Sequence, residues 1–137
     1  MKKDYTKYIK AETTSKNYFA VLLNIIHYKE NIKIAHWQTT SYAQHKAFDG
    51  VYSSLNDSLD SLVEVVIGKY GRFTVENGNV SLSNIAEFNP VESTKSLLAF
   101  LVNEFPLFFA PTDTELLNIR DELLAELNQL LYLLTLE

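Results

Sequence analysis

One long segment, residues 42–70, constrains the fold of this chain more than any other feature of its sequence. It contains no proline, and its apolar residues recur at intervals of three and four, which is the period of a helix that buries one face. This apolar stripe consists of Phe48, Val51, Leu55, Leu59, Leu62 and Val66. Gly71 follows and is suited to end a helix, because glycine adopts the left-handed conformation without steric cost. The segment therefore predicts a long amphipathic helix from about Tyr42 to Tyr70.

A second long helix is expected before this segment, from about Ser15 to Thr39, where apolar residues again keep helical spacing. The polar run QTTS joins the two helices. A connection this short predicts that they are antiparallel neighbours.

The composition changes between Phe73 and Pro90. This stretch contains Asn-Gly and scattered Ser and Asn, and it keeps no sustained period, so it predicts a long crossover with one short helical turn around Ser83 to Glu87. Two shorter helices are expected after it, one over VESTKSLLAFLVNEFPLFF following Pro90 and one over DTELLNIRDELLAELNQLLYLLTLE following Pro111. The second of these is predicted to begin with Asp113 as its cap.

Two long helices, a long crossover and two shorter helices predict an all-α, ferritin-like four-helix bundle with one long crossover between helices 2 and 3. A chain of 137 residues that is 47% hydrophobic is long enough for one domain with a single core. We expect this domain to span residues 15–137 and a basic, flexible tail to span residues 1–14.

The composition also limits the chemistry and the location. The chain has no cysteine, which excludes disulfides, thiolate metal sites and cysteine nucleophiles and leaves histidine and carboxylates. No apolar run approaches the ~20 residues of a membrane span, and no signal peptide is visible, so we expect a cytoplasmic protein. The net charge of −5 disfavours a folded nucleic-acid-binding face, although the basic tail is either simply solvated or able to contact phosphates.

Candidate ligands lie along one stripe of the predicted 42–70 helix. His45 and Asp49 are four residues apart, as are Asp60 and Glu64, so each pair shares one helix face. Asp49 and Asp60 are eleven residues apart, which is close to three whole turns, so both pairs lie on the same stripe. The rise of ~1.5 Å per residue separates the pairs by about 16 Å, too far to share a metal ion within one chain.

Two copies of this helix, packed antiparallel about a two-fold axis, bring the pairs together. Facing residues in such a dimer have numbers that sum to a constant, and His45 with Glu64 gives the same sum, 109, as Asp49 with Asp60. An axis near residues 54 and 55 therefore places His45 and Asp49 of one copy opposite Asp60 and Glu64 of the other, and does so twice.

Two further features favour this arrangement. Tyr52, Val63 and Ile67 form a second apolar strip beside the acids, as a partner-facing surface requires. His36 ends the first helix where His45 begins the second, so a short antiparallel connection holds these residues side by side. His27 has no carboxylate set at matching spacing, and we expect it to be packed or hydrogen-bonded instead.

The charges of this predicted cluster favour a cation. Unit charges ~4 Å apart repel by about 4 kcal/mol at an effective dielectric constant of ~20, so three carboxylates gathered together require protons or a metal. Mixed imidazole and carboxylate ligands suit iron, manganese or zinc more than calcium. A simple solvated helix face is the alternative interpretation of the same carboxylates.

The motifs KIAHW, HKAFD and DSLVE resemble the signature of the Dps family, the DNA-binding proteins from starved cells, which are miniferritins. The resemblance implies a ferroxidase centre shared across a dimer interface. The positions in this sequence that match its ligands are His36, His45, Asp49, Asp60 and Glu64.

The resemblance further implies a hollow dodecamer that binds Fe(II), oxidises it preferentially with hydrogen peroxide and stores ferric mineral. The C-terminal run DELLAELNQLLYLLTL also resembles small Dps-like proteins of phages and large viruses, which would place the protein in a host cytoplasm or a virion. Two other hypotheses remain at this point. One is a non-catalytic structural or interaction protein, for example of a virus particle, and the other is DNA compaction through the Lys-rich tail.

Overall fold

The structure is a computed structural model that describes residues 18–136. The predicted tail, residues 1–14, and the start of the predicted domain lie outside the described residues. Within them the chain is all-helical and contains no β-strand. The α-helices are α1 (Phe19–Gln38), α2 (Tyr42–Tyr70), α3 (Ile85–Phe88), α4 (Pro90–Asn103) and α5 (Thr114–Leu133), and a 3₁₀ helix spans Phe105–Phe108.

Helix α2 has both of the ends that the sequence predicts. Ser41 caps its start, since the Ser41 hydroxyl accepts a hydrogen bond of 3.2 Å from the backbone N–H of Gln44. Gly71 caps its end with φ of 93°, a conformation in which a side chain would be strained. Helix α1 ends one residue earlier than expected, because Thr39 is already extended.

The crossover and α4 follow in the predicted order, but α4 ends earlier than the sequence predicts. The short turn predicted in the crossover is α3, and Asn89 then enters the left-handed region with φ of 50° and caps α4. The sequence predicts that α4 continues through FPLFF, but it ends at Asn103. Pro106 explains the difference, because proline lacks an N–H and its ring clashes with the preceding turn. The chain continues there as the 3₁₀ helix.

Asp113 occupies the predicted cap position of α5, but its side chain does not bond to the first turn of that helix. The carboxylate instead accepts hydrogen bonds from the Tyr70 hydroxyl and the backbone N–H of Ala110 and pairs with the Lys69 ammonium. The predicted cap position is therefore confirmed, but the side-chain capping bond is absent, and Asp113 instead ties the start of α5 to the end of α2.

The four long helices enclose one apolar core. Helix α2 packs against α1 and α5, and α4 packs against the same two helices. All six residues of the predicted α2 stripe are buried, none more than 6% exposed. Burial of a large apolar side chain is worth roughly 1.5–3 kcal/mol, so this stripe is a main source of stability. None of the helices described in residues 18–136 is long and apolar enough to cross a membrane.

Candidate metal site

His36 and His45 are held together where α1 and α2 meet. Their rings are stacked with centroids 3.9 Å apart and planes 17° apart. Nδ1 of His36 lies 2.8 Å from the backbone oxygen of His45, and Nδ1 of His45 lies 2.9 Å from the backbone oxygen of His36. A carbonyl oxygen accepts only, so each Nδ1 carries a hydrogen and donates it. The short turn that follows α1, ended by the Ser41 cap, places the two rings in register.

These reciprocal hydrogen bonds fix the tautomer of both neutral rings. With its hydrogen on Nδ1, each neutral imidazole has an unprotonated Nε2 with a free lone pair. Metal-binding histidines characteristically donate their other ring nitrogen to a backbone carbonyl or carboxylate in this way. His36 is 9% exposed and His45 is half-buried, so both are partly shielded from solvent.

The three carboxylates of the candidate set are exposed on the outer face of α2. Asp49 lies one turn beyond His45, whereas Asp60 lies about three turns and Glu64 about four turns beyond Asp49. Within one copy, residues 18–136 contain no group of three or more His, Asp or Glu residues that could hold a metal ion. The structure thus brings His36 and His45 together, and completion of the set by a second copy stays a prediction.

Two lysines of α1 lie beside Tyr52 of α2, a contact that was not predicted from the sequence. The Lys33 ammonium lies 4.8 Å from the ring centroid of Tyr52 and 5.5 Å from that of Trp37. The Lys29 ammonium lies 4.9 Å from the Tyr52 centroid and donates a 3.1 Å hydrogen bond to Asn56. The signal was the spacing of four between Lys29, Lys33 and Trp37, which places all three on one face of α1.

The apolar strip predicted beside the acids has an intermediate exposure. Tyr52, Val63 and Ile67 are all half-buried, and Tyr52 and Val63 pack against the edge of the core. Trp37 of α1 is 65% exposed, and the Lys33 ammonium lies near both its ring and that of Tyr52. A large aromatic ring with this exposure suits a surface that another molecule covers.

His27 lies on a different side of α1. It is half-buried and lines a groove of about 200 Å³ between α1 and α4, together with Asn24, Tyr28 and Phe100. The groove contains no carboxylate. His27 is thus partly packed between α1 and α4, and its exclusion from the candidate site stays a prediction.

Glu126 of α5 is a second polar feature that sequence reasoning missed. Its Oε1 accepts a 2.7 Å hydrogen bond from the Ser58 hydroxyl, but its Oε2 is buried without a partner among residues 18–136. Burial raises the pKa of this carboxyl, and the nearby charges of Glu122 and Asp57 raise it further, against the lowering effect of Ser58. The ionised form is therefore disfavoured in the folded chain.

This arrangement predicts that Glu126→Gln stabilises the protein at neutral pH. Because the pKa of Glu126 is raised in the folded chain, its protonated carboxyl contributes stability in full below the unfolded pKa. This contribution is lost as the pH rises through the folded pKa. Removing the charge should recover up to about 1 kcal/mol, a modest figure because a groove of about 170 Å³, lined by Glu126, Lys46 and Gln129, admits solvent to this carboxyl. The gain should disappear in acid, as followed by thermal unfolding at several pH values. Glu122→Gln is the exposed control, and an equal gain there would contradict this account.

Comparisons with known proteins place the chain outside the family suggested by its motifs. The profile of a family described as "Family of unknown function (DUF5856)" matches residues 36–134, a range that includes every candidate ligand. An "Uncharacterized 14.6 kDa protein in mobD-ri intergenic region" of Enterobacteria phage T4 is 47% identical over 38 residues, which are 28% of this chain. The chain spans about 30% of the length of that curated relative. No solved structure matches the chain.

The predicted Dps membership is therefore wrong. Neither the matching family nor the phage relative carries a Dps or ferritin description. The motifs KIAHW, HKAFD and DSLVE are short runs on amphipathic helices, and such runs set which residues face outward without specifying a family. The family match covers most of the described chain and outweighs them.

Proposed function

We propose that this chain, which belongs to the family of unknown function DUF5856, binds a divalent first-row transition metal at a site shared by two copies. The observation that carries the proposal is the reciprocal hydrogen bonding of His36 and His45, which leaves both Nε2 lone pairs free. Fe(II) is the substrate ion that is oxidised, and Zn(II) or Mn(II) are substitutes for it at the site.

The donor set fits such an ion. Two imidazole nitrogens with Asp49 of one copy, joined by Asp60 and Glu64 of the other, form the mixed nitrogen and oxygen set that suits iron, manganese and zinc. Parallel rings 3.9 Å apart do not aim both nitrogens at one point. Binding of one ion by both rings thus requires one of them to tilt.

The reaction expected at this site is the oxidation of Fe(II) by hydrogen peroxide. Two Fe(II) ions each lose one electron, the O–O bond of one peroxide breaks, and the two oxygens take up two protons and leave as water. The residues of the chain hold the ions, and the carboxylates lower the repulsion between cations that lie close together. Storage of the ferric product is part of the same hypothesis.

The finer architecture belongs to this proposal as well. The packing of α2 and α4 against both α1 and α5 supports a four-helix bundle with one long crossover, a ferritin-like topology. A dimer through α2 is the smallest assembly that completes the site. A dodecameric shell and a location in the host cytoplasm or a virion remain predictions.

A non-catalytic interaction role is the second candidate. The hydrogen bonds between His36 and His45 also pin the α1–α2 connection, which is a structural role without any metal. The ammonium groups of Lys29 and Lys33 lie beside the Tyr52 ring of α2, and Lys29 pairs with Glu30 at 3.0 Å, so this surface carries charges of both signs without any metal. DNA compaction through the tail concerns residues that the structure does not describe, and it predicts binding that falls steeply with salt.

Anaerobic titration with Fe(II), followed by a peroxide pulse, tests the proposal. We expect saturable binding of about one or two ions per chain and fast ferric absorbance. Asp60→Ala with Glu64→Ala should abolish both, because these carboxylates supply the second half of the site. The molecular mass of each sample is measured in the same buffers by light scattering.

Glu76→Ala with Glu104→Ala is the matched control, since it removes two exposed acids from elsewhere on the chain. The control should bind and oxidise iron as the wild type does. Oxidation by the wild type no faster than in buffer would reject the ferroxidase activity, and absence of saturable binding by Fe(II), Mn(II) and Zn(II) would reject the metal site itself.

A further inference from the structure

The connection between α1 and α2 is held by side chains that the metal proposal does not use. The Thr39 hydroxyl donates a hydrogen bond of 2.7 Å to Oε1 of Gln44 and accepts one of 3.1 Å from the backbone N–H of Ser41. A hydroxyl has one hydrogen and two acceptor lone pairs, so both bonds form at once. The backbone N–H of Gln44 in turn donates to the Ser41 hydroxyl. Thr39 and Gln44 therefore join the end of α1 directly to the first turn of α2.

The two imidazoles of the candidate site depend on the same connection. Gln44 immediately precedes His45, and Thr39 lies three residues after His36. Each histidine bonds to the backbone oxygen of the other, at 2.8 and 2.9 Å. The His36 oxygen lies in the last turn of α1, where carbonyls lack a partner within the helix. Both ring bonds therefore form only while the two helix ends keep one relative position, since a hydrogen bond weakens steeply when its angle bends.

These ring bonds decide which nitrogen is able to bind a metal. A neutral imidazole has two tautomers, and the hydrogen bond made by one ring nitrogen selects between them. When Nδ1 donates to a carbonyl oxygen, the free lone pair is on Nε2. If a helix end shifts and this bond breaks, the hydrogen can move to Nε2, which then no longer acts as a ligand. The geometry of the connection thus controls the supply of metal-binding lone pairs.

We infer that Thr39 and Gln44 are positioning residues for the metal site. Their hydrogen bond holds the connection in the geometry that keeps the Nε2 lone pairs of His36 and His45 free. The inference rests on the metal binding of the proposed function, but it needs no second copy, because all four residues belong to one chain. Residues that orient metal ligands in this way change metal affinity by roughly 10–100-fold when they are lost.

Removal of this hydrogen bond tests the inference, first without any metal. Gln44→Ala removes the acceptor, and Thr39→Val removes the donor. Long-range ¹H–¹⁵N NMR in mildly alkaline, metal-free buffer reports which ring nitrogens of His36 and His45 carry hydrogen. We expect hydrogen on Nδ1 alone in the wild type and a mixture of tautomers in both variants. The Zn(II) dissociation constant should also rise about tenfold in both, and far-UV circular dichroism confirms that each protein is folded.

Two control variants separate positioning from a general loosening of the helix ends. Thr39→Ser keeps the hydroxyl and should retain the tautomers and the Zn(II) affinity of the wild type. Gln38→Ala removes an amide from the same end of α1, where Gln38 bonds instead to the Asn84 side chain and to the backbone N–H of Ile85. This variant should likewise change neither readout.

Wild-type tautomers, or wild-type Zn(II) affinity, in both Gln44→Ala and Thr39→Val would overturn the inference and leave the proposed function standing. An equal loss in Gln38→Ala would also overturn it, because any disturbance of this helix end would then have the same effect. A wild type that binds no Zn(II) would count against the proposed function instead. The tautomer comparison alone would then decide whether Thr39 and Gln44 position the rings.

Discussion

Replacing Asp113 with alanine is expected to lower the free energy of unfolding by about 3 kcal/mol. The Asp113 side chain is nearly buried, at 2% residue exposure, and it is the common acceptor for the Tyr70 hydroxyl, the Ala110 N–H and the Lys69 ammonium. Alanine leaves these donors without their acceptor inside the junction of α2 and α5. Urea unfolding of the two proteins, followed by circular dichroism, measures the difference.

The conservative control for this prediction is Asp113→Asn. Asparagine keeps an acceptor for Tyr70 or Ala110 but loses the ion pair with Lys69. It should therefore lower the free energy of unfolding by less than alanine does. Lys69 also contacts Glu115 at 2.6 Å, and we expect this second ion pair to remain in both variants. A loss below about 0.5 kcal/mol for alanine, the range of ordinary surface substitutions, would contradict a structural role for the junction.

The pH dependence of this difference has a definite sign. Burial opposes ionisation of Asp113, but the hydrogen bonds from Lys69, Tyr70 and Ala110 outweigh it and lower the pKa of the carboxyl. Burial and the Asp113 carboxylate together raise the pKa of Tyr70 to about 12. A lowered carboxyl pKa contributes stability that is present above the unfolded value of about 3.9 and is lost as the pH falls toward the folded one. The advantage of the wild type over Asp113→Asn should therefore shrink below about pH 4.

This junction also marks the limit of what the sequence predicts about the fold. The ends of α2 were predictable because their causes are local: a serine cap at one end and a glycine at the other. Asp113 has the residue type and position of a cap, but Lys69 and Tyr70, more than forty residues earlier, compete for its oxygens. Local propensity could not anticipate that competition, since it depends on how α2 packs against α5.

The candidate site also has features that the sequence predicts and features that it could not predict. The closeness of His36 and His45 followed from a short connection between antiparallel helices, and the structure confirms it. Their reciprocal bonds to backbone oxygens could not be read from the spacing, because ring rotation decides which nitrogen meets the carbonyl. The ammonium groups of Lys29 and Lys33 above the Tyr52 ring were missed for a related reason, since a flexible side chain is placed by its surroundings. The acid stripe on α2 was visible from spacing alone.

The strongest expected effect on function is recovery of activity when two inactive variants are mixed. One variant is His45→Ala with Asp49→Ala, and the other is Asp60→Ala with Glu64→Ala. Each removes a different half of every site in its own dimer, so each alone should bind no Fe(II) at the site and oxidise none of it. A mixed dimer combines the intact His45 half of one chain with the intact Asp60 half of the other.

The size of the recovery follows from symmetry. When equal amounts of the two variants associate at random, half of the dimers are mixed. Each mixed dimer has one intact site and one inactive site. About a quarter of the wild-type number of sites should therefore return. The variants are mixed under conditions in which dimers exchange subunits, and peroxide-dependent ferric absorbance is measured before and after. Each variant incubated alone at the same total concentration is the control. If all five ligands of a site came from the same chain, subunit exchange would restore no activity, because no chain in the mixture carries all five. Recovery therefore distinguishes a site between two copies from a site within one.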